Sequence, residues 1–483
     1  MATLSPVRAA VPLLNGLELL SRGKVRDSYE LPGALLSSAT DGISIFDFVL
    51  NARVKMKGII LNALNHFWSE YLWQFEIPTH LAAVGAAIDK YLPADLRGNT
   101  DLQSRASVIH RMKMAPVEFI YRSVLTGSSV SSYKKDGTVC EHRLPPGLQD
   151  GDSLPCILDT PTTKAEEGHD ENMSFREVRE RYPQQTMLGL QVFQICSEHC
   201  ESRGIKLADT KFEFGEGGRI GDEIVTPDSS RFWEFKVWQD GRKLEKRKAP
   251  PSYDKQLVRA WGIEQGINKR KPENPDDVAW VHSLEVPEKL IEQTTEIYRY
   301  IFWRLTGMTI ENYLSDRMDV AVQPKKKKIA FVFGSESDLP TGFYANRERA
   351  EIVVHVMSCH RNHFELTGFA NSGCGGADVV ICAGGKAFAL PGVLDAMLYE
   401  AGKNVRVIGV ALGEPGSKSF EAAKLSIEEI PGAPVVMDEI SGQVYAGISG
   451  LSSALNRAIN GELPPVKARV AKPVRMNIEL SAG

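Results

Sequence analysis

Two rhythms of apolar and polar positions run along this chain of 483 residues. The first, before about residue 310, mixes period-two strands, glycine turns and a few long helical stretches. LADTKFEFG predicts a strand: Phe212 and Phe214 point to one face, Lys211, Glu213 and Gly215 to the other. GEGG, residues 215–218, is a turn open to positive φ, and RIGDEIVT predicts the returning strand. Such a hairpin brings Glu213 opposite Asp222 or Glu223. Facing carboxylates repel unless a cation lies between them, and a hard cation such as Mg²⁺ suits that place. A surface hairpin with solvated charges has the same pattern. TPDSSRFW follows, with Asp228, two hydroxyls and Arg231 anchored by Phe232 and Trp233, an end suited to gripping an anion.

Other stretches of the first rhythm extend this picture. In LSRGKVRDSYE a tight turn at Gly23 lies beside Lys24 and Arg26, which fits a phosphate lid but is not a GxxxxGK[ST] loop. Apolar residues at three and four predict a helix in GIILNALNHFWSEYLW, opened by Lys57 and Gly58. SVIHRMKMAPVEFIYRSVLTG reads as two strands joined at Pro116, ending in Arg122 and a Thr-Gly-Ser-Ser turn. That combination fits a phosphate ester and also an ordinary loop. The long loop DTPTTKAEEGHDENMSF gathers His169, Asp170, Glu171 and Asn172 before a helix with Ser174 as N-cap, and functional and capping readings both stand. Cys196, His199 and Cys200 lie on an amphipathic helix with no second ligand pair at zinc-like spacing, so core packing is expected there. VPEKLIEQTTEIYRYIFWRLTG predicts a helix that closes the domain near Gly307.

The second rhythm alternates whole strands with whole helices. KIAFVFG, IVVHVMSCHR, ADVVICAGG and VRVIGVAL are apolar strands, and LPGVLDAMLYEAG is a helix between the last two. This predicts a parallel α/β sheet in three layers, with ligands beyond the carboxyl ends of the strands. GSESD, SCHRN and AGGKAFALPG lie there. The four lysines at 325–328 read as a solvated linker end rather than a nucleic-acid signal.

Composition narrows the classes. The length calls for two or three domains. With 43% hydrophobic and 24% charged residues the chain reads as soluble and globular, and a net charge of -4 argues against a general nucleic-acid binder. Seven cysteines form no dense framework, which suits a reducing cytoplasm. No signal pattern and no apolar run of about 18 residues points to a membrane.

Taken together, RGKVRDSYE, TDGISIFDF, APVEFIYRSVLTGSS, PTTKAEEGHDEN, GIKLADTKFEFG, GDEIVTPDSSRFW and SYDKQLVRAWG resemble, in order, the blocks of phosphoribosylaminoimidazole-succinocarboxamide (SAICAR) synthases over residues 14–310. The resemblance implies an α+β, ATP-grasp-like fold that joins L-aspartate to carboxyaminoimidazole ribonucleotide with ATP, through an acyl phosphate. It implies Gly23, Lys24, Arg26 and Lys211 at the ATP phosphates, Glu213 and Asp222 on Mg²⁺, and Lys211 and Asp222 in catalysis. Arg122, Ser128 and Arg231 would take the ribonucleotide's phosphate and carboxylate, with Asp228 and Ser230 nearby, and Lys164, His169 and Asp170 would shape the aspartate side. Residues 327–460 resemble an aminoimidazole ribonucleotide (AIR) carboxylase or mutase of α/β, flavodoxin-like fold. There Ser335, Ser337, Asp338 and Arg361 match the ribonucleotide-binding blocks and His360 the proton-shuttling histidine. This sequence departs from that family in Cys359, in Phe388 and Ala389 where a histidine is usual, in the added Lys386, and in two trimmed segments. The boundaries implied are 1–310 for the ligase, 311–327 for a linker, 328–462 for the carboxylase-like domain and 463–483 for a tail. Such a fusion is either bifunctional or a ligase whose second domain is silent and serves a homo-oligomer, an octamer by likeness.

Overall fold

The computed structural model describes residues 13–164, 171–215, 217–323, 326–340, 350–432 and 434–466, together with the short strand Thr3–Leu4. The chain forms two compact units: Met1–Lys326 with Asp438–Gly442 and Asn456–Glu462, and Lys327–Met437 with Gln443–Leu455 and Leu463–Gly483. Among the described residues no helix is long and apolar enough to cross a membrane.

In the first unit, strands Leu19–Arg22, Arg26–Leu31, Ala34–Ala39, Ala106–Ile109 and Leu81–Val84 build one sheet, antiparallel through these five. A second antiparallel sheet centres on Val117–Val124 and Ile205–Phe214. Its two faces differ as period two demands. Phe119, Tyr121, Phe212 and Phe214 turn into a core shared with Trp68 of the helix Lys57–Trp73 and with Val192, Phe193, Cys196 and Cys200 of the helix Pro183–Ser202. Each such large side chain contributes about 1.5–3 kcal/mol on burial. Cys196 and Cys200 are completely buried, burial pushes both thiols up, and His199 Nε2 lies 2.8 Å from the Leu305 carbonyl, so this trio packs the core.

Two expectations need correction. The returning strand after the glycine turn is only Ile220–Gly221. Asp222 and Val225 have positive φ (52° and 47°), which bends the chain inward. Ile224 and Val225 are consecutive and both buried, which a half-exposed strand cannot accommodate, and Trp68 Nε1 donates to the Val225 carbonyl at 3.0 Å. Within 311–327, read as linker, the helix Ile310–Met318 begins at a Thr309 cap and sends Tyr313, Leu314 and Met318 into the first unit's core. The predicted helix before it is Glu288–Thr306, ended by Gly307 in the left-handed conformation.

The second unit is a five-stranded parallel sheet in the order Ala350–Val356, Lys327–Phe333, Val379–Gly384, Arg406–Ala411, Tyr445–Ala446. Numbered along the chain this is 2-1-3-4-5, a doubly wound order whose ligand crevice lies where strands one and three part. Every residue of Val379–Gly384 is buried, the continuous apolar pattern of a strand covered on both faces. The helix Leu390–Glu400 packs on Arg406–Ala411 and on the helix His363–Asn371.

Candidate functional site

The polar face of the second sheet carries the first unit's chemistry. Glu118 and Arg122 project from one strand, and Asp209, Lys211 and Glu213 from its neighbour, with Asp209 paired to Arg122 and Lys211 to Ile120 in register. The signs alternate and the groups bind one another. Lys211 Nζ lies 2.5 Å from Glu118 Oε1 and 3.5 Å from Glu213 Oε1, and Lys164 Nζ donates to the other Glu213 oxygen. Burial and the neighbouring Asp222 carboxylate raise the Glu213 pKa, while Lys211 and Lys164 pull against them. Asp222 goes the other way: burial alone would raise it, but Arg26, Lys211 and Lys164 hold it below the usual carboxylate range. Burial opposes the charge on Lys211, yet Glu118, Asp222 and Glu213 raise its pKa above the ordinary lysine value. Two neighbouring carboxylates, Glu213 and Asp222, thus lie among three cations.

Arg26 reaches this cluster from the neighbouring sheet and donates to Glu223 Oε1 at 2.9 Å. The turn before it is closed by Gly23 N–H donating to the Arg26 carbonyl at 2.8 Å. Lys24 sits outside on that turn, half exposed, 2.6 Å from Asp47 Oδ1. His80 is buried nearby, its backbone N–H donating to the Ile220 carbonyl at 2.8 Å and its ring Nδ1 3.2 Å from the same oxygen. Burial first, and Arg26 second, lower its pKa to about 4, so the ring is neutral.

A second cluster lies at the other end of the same strands. Arg122 and Arg231 share one carboxylate: Arg122 Nη1 is 3.3 Å from Asp209 Oδ2, and Arg231 Nη1 donates to the same oxygen. Arg122 is further held by Thr160 Oγ1 at 2.8 Å and Ser129 Oγ at 3.2 Å. Asp254 and Asp150 also act on Arg231, so the two guanidiniums stand among several carboxylates, near exposed Ser128 at the N-terminus of the helix Ser128–Asp136. Gly127 (φ 63°) makes this possible, because a Cβ there would stand 2.6 Å from Arg231 Nη2.

Asp228 and Ser230, expected near the ribonucleotide's anionic groups, take a different place. Asp228 accepts from Lys57 Nζ at 2.6 Å and from the Tyr298 hydroxyl at 2.5 Å, and Ser230 Oγ lies 2.7 Å from Thr210 Oγ1 in a buried contact. Both are turned inward and anchor the turn rather than face an anion. His169 and Asp170 lie outside the described residues. Sequence reasoning missed Asp209, Glu118, Lys57 and His80. For Asp209 the signal was present: it is one period-two step before Lys211.

In the second unit, a cavity of about 630 Å³ opens at the carboxyl ends of the parallel strands. Ser335, Ser337, Asp338, His360, Arg361 and Lys386 line it. Ser335 Oγ lies 2.7 Å from Ser337 Oγ and donates to Asp338 Oδ2 at 2.9 Å, and the Gly385 N–H donates to Asp338 Oδ1 at 3.3 Å. Arg361 Nη2 donates to the Gly334 carbonyl at 3.1 Å. Phe388 is buried against Gly384, where a Cβ would meet the ring at 2.4 Å.

The sequence profile of the SAICAR synthetase family matches residues 19–274, more than half of the chain. The chain belongs to the SAICAR synthetase family. Among curated SAICAR synthases, the phosphoribosylaminoimidazole-succinocarboxamide synthase of Lachnospira eligens is 37% identical over 313 residues, 61% of this chain and 97% of that one. The Saccharomyces cerevisiae enzyme of the same name is 35% identical over 308 residues, 60% of this chain and 95% of that one. The solved SAICAR synthase from Saccharomyces cerevisiae, complexed with SAICAR, superposes with a TM-score of 0.53 at 33% identity and covers 62% of this chain and 98% of that one. The activity of the first unit is accordingly that of a SAICAR synthase of purine biosynthesis.

Proposed function

We propose that the first unit joins L-aspartate to carboxyaminoimidazole ribonucleotide with conversion of ATP to ADP and phosphate. The observation that carries this is the face with two clusters: buried carboxylates among lysines at one end, and a pair of guanidiniums on Asp209 at the other. A carboxylate is a poor acylating agent because its leaving group is oxide. Its transfer onto the amine therefore goes through an acyl phosphate, and the protein's part is positioning and charge neutralisation. Lys24, Arg26 and the turn at Gly23 bind the ATP phosphates, and Lys211 stands beside the transferred group. Arg122, Arg231 and Ser128 fix the ribonucleotide's anionic groups. Lys164 and the loop after it, with His169 and Asp170, serve the aspartate side.

Glu213 and Asp222 suit Mg²⁺. Among the described residues no group of three or more His, Cys, Asp or Glu could hold a metal ion, and Mg²⁺ with nucleotide phosphates needs only one or two carboxylates. The metal would supply charge neutralisation at the phosphoryl group. Without it, Lys164 and Lys211 balance the Glu213 carboxylate.

For the second unit two readings follow from its likeness to AIR carboxylases. In one, His360 shuttles the proton of a carboxylation whose product feeds the ligase, and Ser335, Ser337, Asp338 and Arg361 bind the ribonucleotide. In the other, the unit is silent and serves a homo-oligomer; the buried Phe388 in place of a second histidine favours this. The test supplies the purified chain with AIR, bicarbonate, ATP and aspartate, and separately with the carboxylated ribonucleotide, ATP and aspartate. Product from the second mixture is expected. Product from the first, above the non-enzymatic carboxylation rate, assigns the carboxylase; no product from either overturns the ligase proposal.

A further inference from the structure

The two edges of the second unit's sheet differ. At one end Tyr445–Ala446 contributes two residues, and Tyr445 is buried. At the other end Ala350–Val356 runs for seven, in unbroken register with Lys327–Phe333 on its inner side. Among the described residues no strand is paired to its outer side. Soluble proteins blunt such an edge with a lysine, a proline, a bulge or a short strand. AEIVVHV has none of these. Instead Val353, Val354 and Val356 are 47%, 55% and 39% exposed, in a strand of mostly β-branched residues, the composition that pairs readily with another strand.

The order of side chains along this edge points to its occupant. Period two puts Glu351, Val353 and His355 on one face, where the His355 ring lies 4.7 Å from that of Phe369, and Ile352, Val354 and Val356 on the other. A second copy related by a two-fold axis through the sheet pairs antiparallel, each face continuing its own. Centred on Val353, that register sets Val353 against itself, Ile352 against Val354, Ala350 against Val356, and Glu351 against the second copy's His355. Directly opposed Cβ atoms stand about 5 Å apart, so each carboxylate meets an imidazole donor and apolar meets apolar. Centred on Ile352, Glu351 would face Val353; centred on Val354, His355 would face Val353. We propose that Ala350–Val356 is a self-pairing edge, through which two copies join their sheets antiparallel in the register centred on Val353. This goes beyond the reading of the unit as an assembly domain, because it names the surface and the register. It stands whether or not the cleft turns over.

The test is sedimentation velocity on the full-length chain and its variants, with circular dichroism to check that each folds. Val353→Lys sets two ammonium groups face to face across the axis and should halve the sedimenting mass. Val353→Cys, opposite itself in this register, should crosslink two chains on oxidation. Val354→Cys, opposite Ile352, should crosslink no more than the parent chain with its own thiols. His355→Glu sets carboxylate against carboxylate at two places and should weaken association about tenfold, and adding Glu351→His should restore it. If Val353→Lys fails to fold, the two cysteine variants decide. A wild type of single-chain mass overturns the proposal and leaves the edge to a segment of the chain itself. An oligomer whose mass Val353→Lys leaves unchanged, or equal crosslinking by both cysteine variants, also overturns it and moves assembly to another surface.

Discussion

The two units place their polar chemistry in opposite ways. In the first, charged groups stand on the face of an antiparallel sheet, partly or wholly buried, and neutralise one another: Glu118 with Lys211, Lys164 with Glu213, Arg122 and Arg231 with Asp209. In the second, they stand on loops beyond the ends of parallel strands, and His360, Arg361 and Lys386 are exposed. A sheet face fixes side chains through strand register, so removing one charge unbalances its neighbours. A loop crevice fixes them through single backbone contacts, so losing one should be local. Mutations in the first unit should therefore couple to stability and activity together, whereas those in the second should act on ligand binding alone.

The largest effect is expected at Glu213. Glu213→Ala removes one of the two neighbouring carboxylates and leaves Lys164 and Lys211 without it, and kcat/KM should fall about 10³-fold. Steady-state rates over a magnesium titration check this, and unchanged turnover at saturating Mg²⁺ would sink the assignment. Asp209→Asn comes next. It strips the shared carboxylate from two guanidiniums, and should cost about 3 kcal/mol of stability in urea unfolding, together with weaker ribonucleotide binding. A loss confined to binding would make the pair a mere ligand clamp.

The sheet-face unit should also answer to pH through His80. Its pKa is lowered from 6.5 to about 4, so it contributes fully above pH 6.5 and the contribution is lost as pH falls towards 4. The loss is about 3 kcal/mol over that window. Thermal melts of the wild type and His80→Gln should converge as pH drops from 7 to 4, and parallel curves would count against a buried neutral ring. The smallest effect is expected at Lys24, half exposed beside Asp47. Lys24→Gln should move stability by no more than about 0.5 kcal/mol, yet raise KM for ATP several-fold with kcat little changed. A fall in kcat alone would place Lys24 at the transferred group instead.

The same contrast explains what could be read from sequence. The parallel sheet was legible because its buried strands are unbroken apolar runs and its crevice lies by rule at their carboxyl ends. The strand with Lys211 and Glu213 was legible through period two, and the same period extended one step would have reached Asp209. The return after the glycine turn was not, because Ile224 and Val225 bury consecutively and the backbone takes positive φ at Asp222, which no alternation pattern announces. Nor was the inward turn of Asp228, because its partners Lys57 and Tyr298 are 171 and 70 residues away. The helix Ile310–Met318 was missed because its polar outer face outweighs the Tyr313, Leu314 and Met318 stripe in a short window.

Gly127 carries a consequence of a different kind. The guanidinium of Arg231 rests where its side chain would begin, so the place of this cation depends on an atom that is not there. Selection acting on that position would register as a preference for glycine, set by its positive φ and by the guanidinium beside it, although glycine offers no donor, acceptor or charge of its own. In a library screened for ligation, position 127 would resemble a catalytic residue. Only a crystal or a binding isotherm on Gly127→Ala would tell that its function is space.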